Sequence, residues 1–446
     1  MMKIKLPPVY DLSILAESMS DVSSSFHRPV DDKGRYLHWD DFRRYVPKDV
    51  DPHVAWVWTK MAREALQNGL PFHSIKSELA SIAVTTFVQQ SCSIVDRLTS
   101  QAALDELAGG ESASLYLFNG LMEEESISSS QLEGAATTTS VAKEMLQTAR
   151  KPRDEGERMI LGNYRMMSAV WEHRDELLTP DLIRQFHRIG VEGIDDEKYF
   201  PGMFRENNNV SVVDPFGEVI HQPPSFDVLP QKIEELCQWA NVRHEEDASL
   251  NYLHPLVKAG VLHFLIGYYH PFNDGNGRTA RAVFYWYMLK CGYAAFRYIS
   301  ISRLLKKSPT AYAKAYLFTE TDGFDLTYFV SYQCEIVSRA VKDFHAHIVD
   351  SVYQQRTLFE TMWNSGLMKK LNQRQQILAT IAIRNQGKVF SVKEVMENLS
   401  VSNNTARSDL RHLAALGLVR PLVEGKETFY QSPKTMKDVK KLIERH

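Results

Sequence analysis

Cysteine is scarce in this 446-residue chain: four residues, Cys92, Cys237, Cys291 and Cys334, scattered without metal-ligand spacing. That argues against a disulfide framework or a structural zinc site and leaves four reduced thiols in apolar surroundings, expected in the core. No apolar run reaches the roughly 18 residues that a membrane helix needs, and Met1 to Asp11 lacks the charged-then-apolar order of a signal peptide. The chain is therefore expected to be soluble and cytoplasmic, with no membrane partner. No internal repeat or long low-complexity tract is present, the nearest being Glu123 to Glu125 followed by Ser126 to Ser130, and Thr137 to Thr139.

What is present is ample apolar content, 44%, over a length that suggests about three folding units at ~150 residues each. Net charge is −3, unevenly spread: residues 371–446 carry 13 Lys/Arg against 7 Asp/Glu, a balance of +6, which leaves −9 for the rest. Residues 1–50, rich in proline and aspartate, give no clear period and read as an irregular arm laid on the body. Helical spacing covers 52–69, 76–107, 114–125, 137–149, 155–176, 180–190 and 227–243. The exception is 201–222, where Val210, Val212 and Val213 and then Val219 to His221 flank Asp214-Pro215-Phe216-Gly217, the signals of a hairpin.

The richest stretch is His270-Pro271-Phe272-Asn273-Asp274-Gly275-Asn276-Gly277-Arg278-Thr279-Ala280-Arg281. It lies between a buried helical run at 256–269 and a second run in which Ala282, Tyr285, Trp286 and Leu289 recur at helical spacing. The loop thus places Gly275 to Gly277 at a helix N-terminus, where unpaired N–H groups and the helix dipole favour an anion. Arg278 and Arg281, three apart, are expected to project to one side and clamp a polyphosphate. A histidine can take a proton from an attacking hydroxyl, and an aspartate beside phosphates commonly holds Mg2+. The inventory fits phosphoryl or nucleotidyl transfer.

All fixed positions of this loop match His-x-Phe-x-Asp-Gly-Asn-Gly-Arg-x-x-Arg, so the chain resembles the Fic (Fido) family over roughly residues 115–340. His263, seven residues before His270, and Ala311-Tyr312-Ala313-Lys314-Ala315 fit the flanks; Tyr269 replaces the usual aliphatic residue. The resemblance implies a mainly α fold, a helical core with a β-hairpin flap (205–222), whose edge pairs with the backbone of a target protein. Pro201-Gly202-x-Phe204-Arg205 and Pro223-Pro224 flank that flap, and Val210 to Val213, Ser211 included, form its strand nearest the nucleotide. It also implies AMP transfer from ATP to a Ser, Thr or Tyr hydroxyl. In that scheme His270 is the base and Asp274 carries Mg2+, while Gly275, Asn276 and Gly277 steady the α-phosphate. Arg278 and Arg281 receive the β- and γ-phosphates, and Tyr312 lines the adenine pocket.

Ser129-Ser130-Gln131-Leu132-Glu133-Gly134 read alone is a capping serine run beside a surface glutamate. Beside the loop it resembles the family's inhibitory motif (129–134), placed N-terminal to the core. Glu133 would then pair with Arg281 and hold the enzyme off. The same glutamate serves an AMP-removing hydrolase in some relatives, and phosphate or phosphocholine transfer is a lesser alternative on this scaffold.

The basic tail gives three helices, 372–385, 391–399 and 402–416, then a hairpin around Glu424-Gly425-Lys426, an order that resembles a winged helix-turn-helix. Such a module would turn Asn403, Asn404, Thr405, Arg407, Ser408 and Arg411 toward DNA and touch phosphate through Lys426. It also serves dimerisation, and a homodimer is expected. The division expected is an arm and helical region 1–113, the core 114–345, a connecting helix 346–370 and the winged domain 371–446. A second function class remains open, a DNA-binding regulator whose Fic body senses nucleotide.

Overall fold

The computed structural model describes residues 4–14, 26–108, 122–194, 199–214, 216–244, 246, 251–364, 366–384, 387–424, 427–433 and 438. Two compact units result: Met1–Ala103 with Gly120–Lys342, and Leu104–Asn119 with Asp343–His446.

The first unit is mainly helical. Its longer helices include α1 (Pro52–Glu64), α2 (Thr86–Thr99), α3 (Met122–Leu132), α4 (Thr139–Thr148), α5 (Glu155–Glu172), α6 (Pro180–Val191), α7 (Leu229–Asn241), α8 (Pro255–Tyr269), α9 (Asn276–Lys290) and α10 (Pro309–Thr321). Proline at the first turn of α1, α6, α7, α8 and α10 fits positions whose N–H groups have no helical partner. α8 and α9 form the centre: 13 of the 15 residues in each are buried, so both are enclosed nearly all round rather than on one stripe. Lys258, buried among them, donates to Val242 O at 2.6 Å.

Residues 52–69 and 76–107 are not continuous helices as expected. Between α1 and α2 lies an antiparallel hairpin, β1 (Gln67–His73) and β2 (Leu79–Ala83). Leu70 and Phe72 are buried while Gly69, Pro71 and His73 face out, a period of two that the helical reading overlooked. The N-terminal arm is pinned by a buried guanidinium: Arg63 donates to Pro29 O and Leu37 O, both at 2.9 Å, and to the Tyr328 hydroxyl at 2.8 Å.

The connecting helix expected over 346–370 is the later part of α11 (Thr327–Asn364), followed by a 3-10 turn at Leu367–Lys370. Nothing in 327–364 stops a helix, since the stretch has no glycine or proline. Cys92, Cys237 and Cys334 are buried as expected, whereas Cys291 is exposed because α9 ends one residue before it.

The second unit contains α12 (Gln373–Arg384), α13 (Val392–Leu399) and α14 (Asn403–Ala415), with a sheet of order β5-β7-β6 made by β5 (Val389–Phe390), β6 (Arg420–Glu424) and β7 (Glu427–Gln431). Ser391 and Ser402 cap α13 and α14, accepting from Glu394 N and Thr405 N. Leu378, Ala382, Phe390, Ala406, Leu410 and Leu413 are in its core. β5 adds a third strand to the expected hairpin; Lys426 lies outside the described residues. Among the described residues, no helix is long and apolar enough to cross a membrane.

Candidate active site

The site is built where α8 ends and α9 begins. His270 caps α8 in the left-handed region, φ +48°, a conformation that costs a non-glycine residue ~1 kcal/mol or more and is usually kept for a functional reason. Its Nδ1 lies 2.9 Å from Gly267 O, so that nitrogen carries the proton and Nε2 keeps its lone pair. Burial pushes the imidazole down to about 4; the Gly267 carbonyl and the Glu133 carboxylate work against that, and the nearby Arg205 charge adds to it. At neutral pH the ring is a neutral base.

The loop that follows is stapled by its own asparagine. Asn276 Oδ1 accepts from Phe272 N at 2.9 Å and its Nδ2 donates to Phe272 O at 2.8 Å. This corrects the expected role: the buried Asn276 amide holds the loop closed instead of facing a phosphate. Phe272 stacks flat on His187, centroids 3.7 Å apart and planes 5° apart. His187 Nδ1 accepts from Gly202 N at 3.0 Å, which leaves Nε2–H to donate to Asp274 O at 2.9 Å. Gly275, φ +79°, leaves little room for a Cβ, which would meet His187 Nε2 at 3.1 Å and Val191 Cγ1 at 3.2 Å. Arg205 ties the flap base to the same loop, donating to His270 O at 2.9 Å, Asn207 O at 3.0 Å and Pro224 O, while its main-chain N–H donates to Pro271 O at 2.8 Å.

His187 and these contacts of Arg205 escaped sequence reasoning. Arg205 was visible only as a flank, and His187 as one polar residue on an amphipathic helix.

Arg278 and Arg281 do not converge on one clamp. Three residues apart on a helix leaves them ~60° apart in azimuth, enough for long side chains to reach opposite neighbours. Arg278 turns toward α6, donating to Gly190 O at 3.1 Å and the Tyr199 hydroxyl at 3.2 Å. Arg281 turns toward α3: Nε donates to Ser129 Oγ at 2.9 Å, and Nη2 to Ser129 O at 3.3 Å and Glu133 Oε1 at 2.7 Å. Its Nη1 is buried without a hydrogen-bond partner. Burial opposes the Arg281 charge, but the Glu133 carboxylate outweighs it and holds the guanidinium above its ordinary range.

The motif at 129–134 does not precede a helix as a cap would. It forms the last turn of α3 and the turn after it, which brings Glu133 onto the N-terminal turn of α9. A Cβ at Gly277 would stand 2.2 Å from Glu133 Oε1. The carboxylate thus occupies the anion-favouring end of α9 that the loop glycines leave open. Tyr312 places its hydroxyl 2.8 Å from His263 Nε2, on the Arg281 side of the site.

The flap is short, β3 (Val212–Val213) paired with β4 (Val219–His221). Val210 lies outside the paired residues and, like Ser211 and Val212, is partly covered, whereas Val213 is exposed. His221 anchors the hairpin, with Nδ1 2.7 Å from Glu320 Oε2 and Nε2 2.8 Å from Tyr268 O.

Residues 177–288 match the Fic/DOC family model, and residues 374–425 match the DeoR-like helix-turn-helix domain. The chain carries a Fic/DOC domain. Its sequence is 33% identical over 73 residues to the protein adenylyltransferase Fic of Nematostella vectensis, 16% of either chain. It is 30% identical over 118 residues to that of Drosophila virilis, 26% of this chain and 21% of the relative. The chain therefore spans well under a quarter of these relatives' length. Among solved structures, a Fic family protein from Desulfovibrio desulfuricans G20 aligns over 78% of this chain and 95% of its own, with 18% identity and a TM-score of 0.48. A Fic domain signalling protein from Bacteroides thetaiotaomicron VPI-5482 aligns over 59% and 97%, with 20% identity and a TM-score of 0.47.

In Fic terms, the matched span contains His187, His270 and Arg281, while Glu133 lies outside it and reaches the site through α3.

Proposed function

We propose that the Fic domain is a protein adenylyltransferase held off by its own α3. The observation that carries this reading is the seat of Glu133, 2.7 Å from Arg281 and over Gly277, beside a neutral His270. With Glu133 withdrawn, Arg281 has open donors for a terminal phosphate, and the α9 N-terminus has open amides for the α-phosphate. The flap, exposed at Val213, Phe216 and Val219, offers an apolar edge for a target segment.

In the proposed reaction a target hydroxyl oxygen attacks the α-phosphorus of ATP and the bond to the β-phosphate bridging oxygen breaks. His270 Nε2 takes the hydroxyl proton, and pyrophosphate leaves. Among the described residues no cluster of three or more His, Cys, Asp or Glu side chains could cage a metal, so a cation would rest on Asp274 and on phosphate oxygens. Mg2+ held there would offset charge on the phosphates. Arg278, committed to Gly190 and Tyr199, acts as a loop brace with its charge near the β-phosphate.

A second reading concerns the other unit. Asn403, Asn404, Arg407, Ser408 and Arg411 are exposed along α14 of the DeoR-like domain, which favours DNA contact through that helix.

The deciding experiment is incorporation of α-labelled ATP into lysate protein by wild type, Glu133→Gly and Glu133→Gly/His270→Ala. Strong labelling by the single variant alone is the expected result. No label from any of the three would overturn the transferase reading in favour of AMP removal or nucleotide sensing.

A further inference from the structure

Helix α3 is polar and yet buried. Its sequence, MEEESISSSQL, offers few apolar side chains, but Glu123, Glu125 and every residue from Ser126 to Ser130 are buried. One fully buried isoleucine, Ile127, supplies only ~2–3 kcal/mol of hydrophobic adhesion. Hydrogen bonds do the rest. Asn163 Nδ2 donates to Ser126 O at 2.9 Å, Ser130 Oγ reaches Met159 O at 3.2 Å, and Arg281 holds Ser129 and Glu133. A helix seated by directional bonds has a sharply defined register and little apolar area to keep it in place once they break.

The strongest of these seats lies two turns before Glu133. Glu125 Oε2 accepts from Ser300 Oγ at 2.9 Å and Ser302 N at 3.0 Å, and Oε1 accepts from Ser302 Oγ at 2.5 Å. Glu125 is 5% exposed, Ser300 7% and Ser302 0%. The segment that carries these donors is itself fixed to α9: the Tyr285 hydroxyl donates to Ile299 O and accepts from Ile301 N, both at 2.9 Å. Tyr285 lies one helical turn beyond Arg281. Glu125 therefore references α3 to the same helix that bears the arginine Glu133 must find.

We infer that Glu125 is a positioning residue for the catalytic site: its bonds to Ser300 and Ser302 set the register in which Glu133 reaches Arg281, and their loss releases α3. The inference rests on the reading of Glu133 as an inhibitory group. An apolar residue could fill the same volume, but only a side chain accepting three bonds fixes α3 against sliding along α9.

The test uses the full chain with Glu125→Gln, whose amide replaces one accepting oxygen with a donor facing donors. Two readouts are taken: hydrogen exchange of the amides of 126–133, and AMP incorporation from α-labelled ATP. The expected result is at least tenfold faster exchange and at least tenfold more transfer than wild type. In the Glu133→Gly background, Glu125→Gln should add less than twofold. Ser302→Ala, a milder change, should move both readouts in the same direction and decides the matter if Glu125→Gln does not fold. Unchanged exchange and transfer in a folded variant would overturn the inference, as would an equal gain in the Glu133→Gly background. Faster exchange of α3 in Glu125→Gln, with no gain in transfer from Glu133→Gly itself, would uphold the positioning role and sink the inhibitory reading instead.

Discussion

Glu133 Oε1 and Gly277 compete for one space: a Cβ on Gly277 would stand 2.2 Å from that oxygen, which now bonds Arg281 at 2.7 Å. The neighbour that would have to move is the tip of a flexible side chain, so the conflict is resolved by expelling Glu133. Arg281, its side chain 1% exposed, would then lose its carboxylate partner and keep only Ser129, whereas the Glu133 side chain is 29% exposed and regains water. Breaking a fully buried pair costs ~3–5 kcal/mol; with one partner part-solvated we expect about 1–2 kcal/mol. Gly277→Ala should therefore lower Tm in the wild-type background. In Glu133→Gly it should be neutral or slightly stabilising, because alanine is the better helix former. Equal losses in both backgrounds, read by thermal denaturation, would refute the competition.

The histidines around the core predict a pH dependence. Burial lowers His38, His187 and His270 from 6.5 to about 4, and holds His263 well below its usual value. Between those values the unfolded chain binds protons that the folded chain refuses, so stability rises with pH across this window. Its contribution is complete above ~6.5 and is lost as pH falls toward 4. Each ring shifted to about 4 corresponds to a loss on the order of 3 kcal/mol over that interval. Denaturant titrations at pH 7, 6, 5 and 4 should show a falling midpoint, with a shallower fall in His187→Gln. A midpoint flat from 7 to 4.5 would contradict these depressed values.

Most of the helices were legible in the sequence because their signals are local; α3 was not, its span Met122–Leu132 running past the helix expected at 114–125. Proline at first turns, serine caps at Ser391 and Ser402, and dense apolar runs at α8 and α9 each report on a few neighbouring residues. The loop from His270 to Arg281 was legible for the same reason. What failed left no recognised local signal or depends on distant partners. The β1–β2 hairpin was missed because Gly69 was counted into a helix over 52–69 and Pro71 was taken for the break after it, whereas both lie on a strand's outer face. Arg278 and Arg281 share a helix face in sequence, but Gly190 O and the Ser129–Glu133 turn, 88 and 148 to 152 residues away, draw them apart. Asn276 was given to a phosphate because no local pattern announces a bond back to Phe272.

That bond makes Asn276 a specific target. Its amide both accepts from Phe272 N and donates to Phe272 O, a pairing that aspartate cannot reproduce, since a carboxylate facing a carbonyl oxygen has only acceptors. Asn276 is 2% exposed, so water cannot step in cheaply. Asn276→Asp should cost ~2 kcal/mol of stability and loosen the loop that carries Asp274. Thermal denaturation is the direct measure: an unchanged Tm in that variant would refute the staple, whatever happens to activity.

The second unit permits a separation of fold from contact on one helix. Asp409, on α14, is 2% exposed and accepts from Arg374 Nε at 2.9 Å and Gln375 Nε2 at 2.8 Å, bonds that burial opposes but that together hold its carboxyl below the usual range. Arg407 and Arg411, flanking it on the exposed side, line a cavity of about 230 Å³ with Lys393, Asn403 and Phe429. Asp409→Ala should strand its partners and lower the melting temperature of this unit. Arg407→Ala and Arg411→Ala should leave that temperature unchanged. If the exposed face touches DNA phosphates, each arginine removed should flatten the slope of log K against log salt by about 1, uniformly across sequences. An unchanged slope in the double arginine variant would remove DNA from the functions of this helix, and the exposed cations would then serve a protein partner.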